Sequence, residues 1–113
     1  MHENRILHRD IKPDNIFLGS EGNIKIGDFG ISRMFDTTKQ YTMSMIGTPY
    51  YVSPELVQED KYSYKSDVWA IGCILYELCF LKRAFDGKTM IKITKDIVDK
   101  HPDFNNFRYS KDL

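Results

Sequence analysis

A chain of 113 residues has room for one small domain at most, since domains run to about 100–200 residues, so a multidomain enzyme is excluded. Sixteen Lys and Arg cancel sixteen Asp and Glu, which leaves no bulk positive field to hold nucleic acid or an anionic membrane. An apolar fraction of 42% with 13% aromatics lies far from the composition of disordered chains, so the sequence is built to pack.

In chain order, the first predicted element is a β-hairpin. Asn15-Ile-Phe-Leu18 and Asn23-Ile-Lys-Ile-Gly27 read as short strands around Gly19-Ser-Glu-Gly22, where glycine admits positive φ. From Asp28 to Glu55 the chain is polar and hydroxyl-rich with no sustained periodicity, and a loop of that length inside a compact domain is usually functional. Val68 to Leu81, interrupted by Glu77, is the longest apolar run. It falls short of the roughly 20 residues a membrane span needs. It reads as a core helix, apolar on nearly all faces and so surrounded by other helices, with Ser63 or Ser66 capping its start and Asp67 in its first turns. Met90, Ile93, Ile97 and Val98 then recur at the spacing of an amphipathic surface helix, with Lys92, Lys95, Asp96 and Asp99 on the wet side. His101-Pro102-Asp103 closes it, because the residue before proline is pushed out of the α region.

Cys73 and Cys79, six apart in the core helix, fall on different faces and read as two buried thiols rather than a disulfide. Two cysteines without a signal peptide suit a reducing, intracellular setting. His2, His8 and His101 show no ligand spacing, so a zinc site is not expected.

Three motifs carry chemistry: His8-Arg9-Asp10-Ile11-Lys12-Pro13-Asp14-Asn15, then Asp28-Phe29-Gly30, then Ser53-Pro54-Glu55. Each alone is weak, and an Arg-Asp pair is more often a solvated surface pair than a site. Together, in this order and spacing, they resemble the signature set of the eukaryotic protein kinases, and the resemblance covers essentially the whole chain. Phosphoryl transfer asks a protein mainly for positioning and charge neutralisation. The resemblance implies Asp10 as general base, Lys12 as a point charge near the γ-phosphate, and Asn15 and Asp28 as oxygen ligands to Mg²⁺, with Mn²⁺ as a substitute. The plain alternatives are a turn residue for Asp28 and a strand-start cap for Asn15. Lys12-Pro13 and Gly47-Thr48-Pro49-Tyr50-Tyr51 resemble the serine/threonine-specific pattern, in which the Thr48 hydroxyl bridges Asp10 and Lys12.

Further roles follow from the same resemblance. Arg9 marks kinases controlled by a phosphorylated activation loop, with Ser44 as the first candidate acceptor and Thr42 the second, phosphorylated by an activating kinase or by the enzyme itself. Asp67 accepts backbone N–H groups of the His8-Arg9 loop, while His8 and Phe29, beside Gly30, stack between loop, metal site and helix. Phe17 lies beneath the adenine ring with Ile74 and Leu78 below it. Glu77 either faces basic substrate residues or is a buried structural carboxylate, and Glu55 pairs with an arginine beyond residue 113.

Within the kinases the likeness is greatest to the NIMA-related serine/threonine kinases. It rests on Ile26-Gly27-Asp28-Phe29-Gly30-Ile31-Ser32-Arg33, on Gly47 to Glu55, on Lys65 to Cys79 and on Leu81-Lys82-Arg83-Ala84-Phe85. It implies an α+β kinase-like fold represented by part of the large, mostly helical C-terminal lobe: catalytic loop, short β-hairpin, activation segment and central helix over 1–113. The glycine-rich loop and strand lysine of the small lobe are missing. The expected activity is transfer of the ATP γ-phosphate to Ser or Thr of protein substrates, with no nucleic-acid or membrane partner. The expected location is the cytoplasm, with cytoskeleton, centrosome or cilium implied by the family alone. The isolated chain is expected to be inactive and poorly soluble, and the alternative is a non-catalytic kinase-like binding module or decoy.

Overall fold

The computed structural model describes residues 1–28, 49–105 and 109, and the backbone of 33 and 34. Ser44, Thr42, Thr48, Phe29 and Gly30 lie outside the described residues. The described elements are β1 (Ile6–Leu7), β2 (Ile16–Leu18), β3 (Ile24–Ile26), β4 (Arg33–Met34), α1 (Pro54–Val57), α2 (Tyr64–Phe80) and α3 (Met90–Asp99), with single 3₁₀ turns at His2–Asn4 and Pro13–Asn15.

β2 and β3 form the expected antiparallel hairpin, with Ile16 opposite Ile26 and Leu18 opposite Ile24. Its turn closes through Gly19 N–H to the Asn23 carbonyl at 2.7 Å, and Gly22 takes the positive φ of 76° that a side chain would resist. β1 pairs with β4, Ile6 opposite Met34 and Leu7 opposite Arg33, a second ladder whose later strand falls inside the stretch read as plain loop. Two-residue strands are too short to show alternation, so the pairing left no trace in the sequence.

α2 starts at Tyr64, four residues before the apolar run, because Ser63 and Ser66 cap it reciprocally. The Ser63 hydroxyl accepts from Lys65 N–H at 3.2 Å and the Ser66 hydroxyl from Ser63 N–H at 3.1 Å. The helix stops at Leu81, whose left-handed conformation (φ 54°) lets its N–H reach the Glu77 carbonyl. Two small cores share this helix. Cys73 packs with Phe85, Ile93 and Ile97, and on another side Ala70 and Ile74 pack with Ile11. Tyr51 packs against both clusters.

On the other side of α2, Val68, Ile71, Leu75 and Leu78 are exposed. Cys79 is only partly buried, unlike Cys73. In α3 only Ile93 and Ile97, one turn apart, reach the core, while Met90 and Val98 at the edges of the stripe are exposed. Lys92, Asp96 and Lys100 form a ladder of i,i+4 ion pairs on the wet face. Beyond α3, the Tyr76 hydroxyl donates to the Asp103 carbonyl at 2.7 Å and Phe104 meets the stacked Tyr76–Phe80 pair edge-on, which ties the 101–104 segment to α2.

Candidate active site

The local fold around Asp10 follows from Pro13. A residue before proline is driven to extended backbone, and Lys12 is extended (φ −157°, ψ 163°). Pro13 then opens a 3₁₀ turn, a position suited to a residue without an N–H, and the turn folds Asn15 back on Asp10. The Asn15 amide NH₂ donates to the Asp10 carbonyl at 2.7 Å and to Asp10 Oδ2 at 3.0 Å. Lys12 Nζ donates to the same Oδ2 at 2.8 Å. A hydrogen bond to the Asp10 carboxylate raises the Lys12 pKa against a smaller desolvation effect, and the charges of Asp10, Asp14 and Asp28 add to it. The lysine is therefore a fixed cation at neutral pH, held directly on Asp10.

The hairpin brings in Asp28. Asn15 directly precedes β2, and its carbonyl accepts Gly27 N–H at 2.9 Å, so Asn15 and Asp28 sit together at the open end of the ladder. Asp28 is exposed and has φ 58°, a conformation Asp tolerates better than most residues. Phe17, which is exposed, lies over Gly27: a Cβ there would stand 2.7 Å from Phe17 Cε2. The glycine before Asp28 thus makes room for this ring. With its NH₂ committed to Asp10, Asn15 keeps its amide oxygen for coordination, and the Asp28 carboxylate is a second hard oxygen donor. This donor set suits Mg²⁺.

The loop is anchored from α2. Asp67, with no solvent exposure, accepts His8 N–H at 3.0 Å and Arg9 N–H at 3.1 Å. It also accepts from the Tyr62 hydroxyl and from His2 Nε2 at 2.8 Å. Burial pushes the Asp67 pKa up, but hydrogen bonds from Tyr62, His2, His8 and Arg9 outweigh it and hold the carboxyl below its usual value. Arg9 is pinned in a left-handed conformation (φ 70°), a strain of about 1–2 kcal/mol for a residue with a Cβ, and its guanidinium lies 5.9 Å from the Tyr62 ring centre. The wholly buried His8 faces the Gly27 carbonyl through Nε2 at 3.0 Å and accepts Asp10 N–H on Nδ1 at 3.3 Å. These partners select the tautomer with its proton on Nε2, and the ring links the loop to the residue before Asp28.

Other residues singled out in the sequence lie on α1 and α2. Glu55 accepts from the Ser66 hydroxyl at 2.6 Å. Ile74 is buried with Ile11 and Ala70, whereas Leu78 is exposed. Glu77 is half-buried and accepts from the Tyr51 hydroxyl at 2.8 Å. The buried Cys73 thiol is pushed up to about 12 by burial and by the Glu77 charge, so it is not a thiolate nucleophile. Sequence reasoning missed His2 and Tyr62 as partners of Asp67, which lie 65 and 5 residues away. It also missed Arg83, which lies on the Tyr50 ring.

The protein kinase domain family matches residues 1–112. The chain belongs to the protein kinase family. Its relatives are NIMA-related serine/threonine kinases. It is 49% identical to the serine/threonine-protein kinase Nek1 of Mus musculus over 87% of the chain, 44% identical to the G2-specific protein kinase fin1 of Schizosaccharomyces pombe over 96%, and 44% identical to the G2-specific protein kinase nimA of Emericella nidulans over 96%. The chain spans only 8%, 15% and 15% of the length of these three.

Proposed function

We propose that this kinase segment supplies the catalytic loop, metal ligands and peptide platform of a domain that transfers the γ-phosphoryl group of ATP to Ser or Thr of a protein substrate. The observation that supports it is the convergence of Lys12 and Asn15 on one oxygen of Asp10, with Asp28 at the same hairpin end. Asp10, oriented by these two donors, takes the proton of the acceptor hydroxyl as the new O–P bond forms and the bond to the β-phosphate oxygen breaks, releasing ADP. Lys12 places a fixed positive charge beside that transfer. Asn15 and Asp28 would hold Mg²⁺, which supplies charge neutralisation on the phosphates. Thr48 bridges Asp10 and Lys12 on this reading, Phe17 borders the nucleotide, and Arg9 pairs with phosphate on Ser44 or Thr42. The place of action is intracellular.

The test is a chimera in which this chain replaces the aligned segment of mouse Nek1. The expected result is ATP-dependent phosphorylation of a Ser/Thr peptide, lowered about 10²- to 10⁴-fold by Asp10→Asn, the usual worth of a general base. A soluble chimera without transfer, or one that Asp10→Asn leaves unimpaired, would overturn the assignment and favour a non-catalytic binding module.

A further inference from the structure

Tyr50 and Tyr51, next to the fully buried Pro49, are clamped between two opposite charges at the far end of α2. On one side the Tyr51 hydroxyl donates to Glu77 Oε2 at 2.8 Å. On the other, the exposed Arg83 lays its guanidinium 3.6 Å from the centre of the Tyr50 ring, close cation–π range. Both charges bear on the Tyr51 phenol: burial raises its pKa most, Glu77 raises it further and Arg83 works against them, leaving it at about 12 and a donor at neutral pH. The phenol ring also packs against the cluster of Ile11, Ala70 and Ile74, and Ile11 lies between Asp10 and Lys12. The charge balance at Glu77 and Arg83 is therefore set directly behind the segment that follows Thr48.

We infer that Arg83 is a specificity-determining residue: it offsets the Glu77 carboxylate from across the Tyr50–Tyr51 step, so that this platform disfavours basic side chains flanking the phospho-acceptor. Without Arg83, Glu77 keeps only a neutral phenol as partner and becomes a half-buried anion that recruits a cationic flank. The inference rests on the kinase reading for the meaning of the platform, yet its charge logic can be measured without catalysis.

The experiment uses two fluorescein-labelled serine peptides that differ only in Arg or Gln residues around the acceptor. Their binding is measured on the 113-residue chain and their turnover in the Nek1 chimera. Arg83→Ala is expected to shift the Arg-peptide to Gln-peptide ratio toward Arg by roughly 3- to 5-fold, the upper end of what one exposed charge contributes. Glu77→Gln added to Arg83→Ala should abolish the shift. Arg83→Lys, which keeps the charge, should stay within about twofold of the parent ratio, the scale expected when a surface charge is retained. An unchanged ratio in Arg83→Ala, or a shift that Glu77→Gln does not reverse, overturns the inference. A chimera with no turnover whose peptide binding still shows the shift sinks the kinase reading and leaves this one standing. Turnover without any shift does the opposite.

Discussion

The two sides of α2 meet opposite fates. At its inner N-terminal side the helix buries Ser66 and Asp67, the least expected residues for an interior, and satisfies them completely with the Glu55 carboxylate, two backbone amides, a tyrosine and a histidine. On its outer side Val68, Ile71, Leu75 and Leu78, the most expected residues for an interior, stand in solvent. The burial of Ser66 and Asp67 thus rests on the hydrogen-bond partners gathered around the His8–Arg9 loop. A charge can be buried cheaply where donors are preorganised.

The strongest way to break the contrast is Asp67→Ala. Hydrogen bonds to a charged acceptor contribute about 1.5–3 kcal/mol each and a buried donor left unpaired costs about 1–3 kcal/mol, so the loss should exceed about 3 kcal/mol in urea unfolding. The positive-φ backbone of Arg9 should relax with it, read as faster amide exchange at residues 8 and 9. The same carboxyl fixes a pH signature. Its folded pKa lies below the usual value near 3.8, so its contribution is complete above that value and disappears as the pH falls from there through the lower folded pKa. Asp67→Asn should flatten this acid limb of stability, and a limb of unchanged steepness would refute the role given to Asp67.

Next in size is the apolar core on the other side of the helix. Ile97 is 1% exposed and packs with Cys73, Phe85 and Ile93. Ile97→Ala should cost about 2–5 kcal/mol, the range for a large-to-small change at a filled site. The measurement is the urea midpoint at constant m-value, with amide exchange at residues 8 and 9 expected to change less than in Asp67→Ala. Equal loosening of the loop in both variants would show that the loop depends on the whole core and not on Asp67.

Which parts of this were legible depends on the range of the interactions. The hairpin was, because Gly19 and Gly22 flank a local turn and the strands abut it. Asn15 and Asp28 were joined from sequence through the resemblance of their motifs to the kinase set, and Asp10, Lys12 and Asn15 lie within five residues of each other. α3 was legible by its spacing, though Met90 and Val98 show that a stripe four residues wide can be only two residues deep. The β1–β4 pair, the His2–Asp67 bond and the Arg83–Tyr50 stack were not, since each joins residues 26 or more apart with no periodic signal.

The smallest expected effect on stability comes from the outer face, and for that reason it separates the two sides most sharply. Leu78 is 66% exposed, so Leu78→Gln removes little buried area and should change the unfolding free energy by no more than about 0.5 kcal/mol, as exposed substitutions do. Association is another matter. Tyr64, Val68, Ile71, Leu75 and Leu78 form a continuous exposed stripe at alternating spacings of four and three, and with a net charge of +0 the chain has no repulsion to oppose contact between such faces. Leu78→Gln together with Leu75→Gln should therefore raise the concentration at which light scattering first appears while leaving the urea midpoint in place. If the pair of substitutions instead unfolded the chain, the outer face would be holding the fold as firmly as the inner one, and the asymmetry of α2 would be one of chemistry but not of energy.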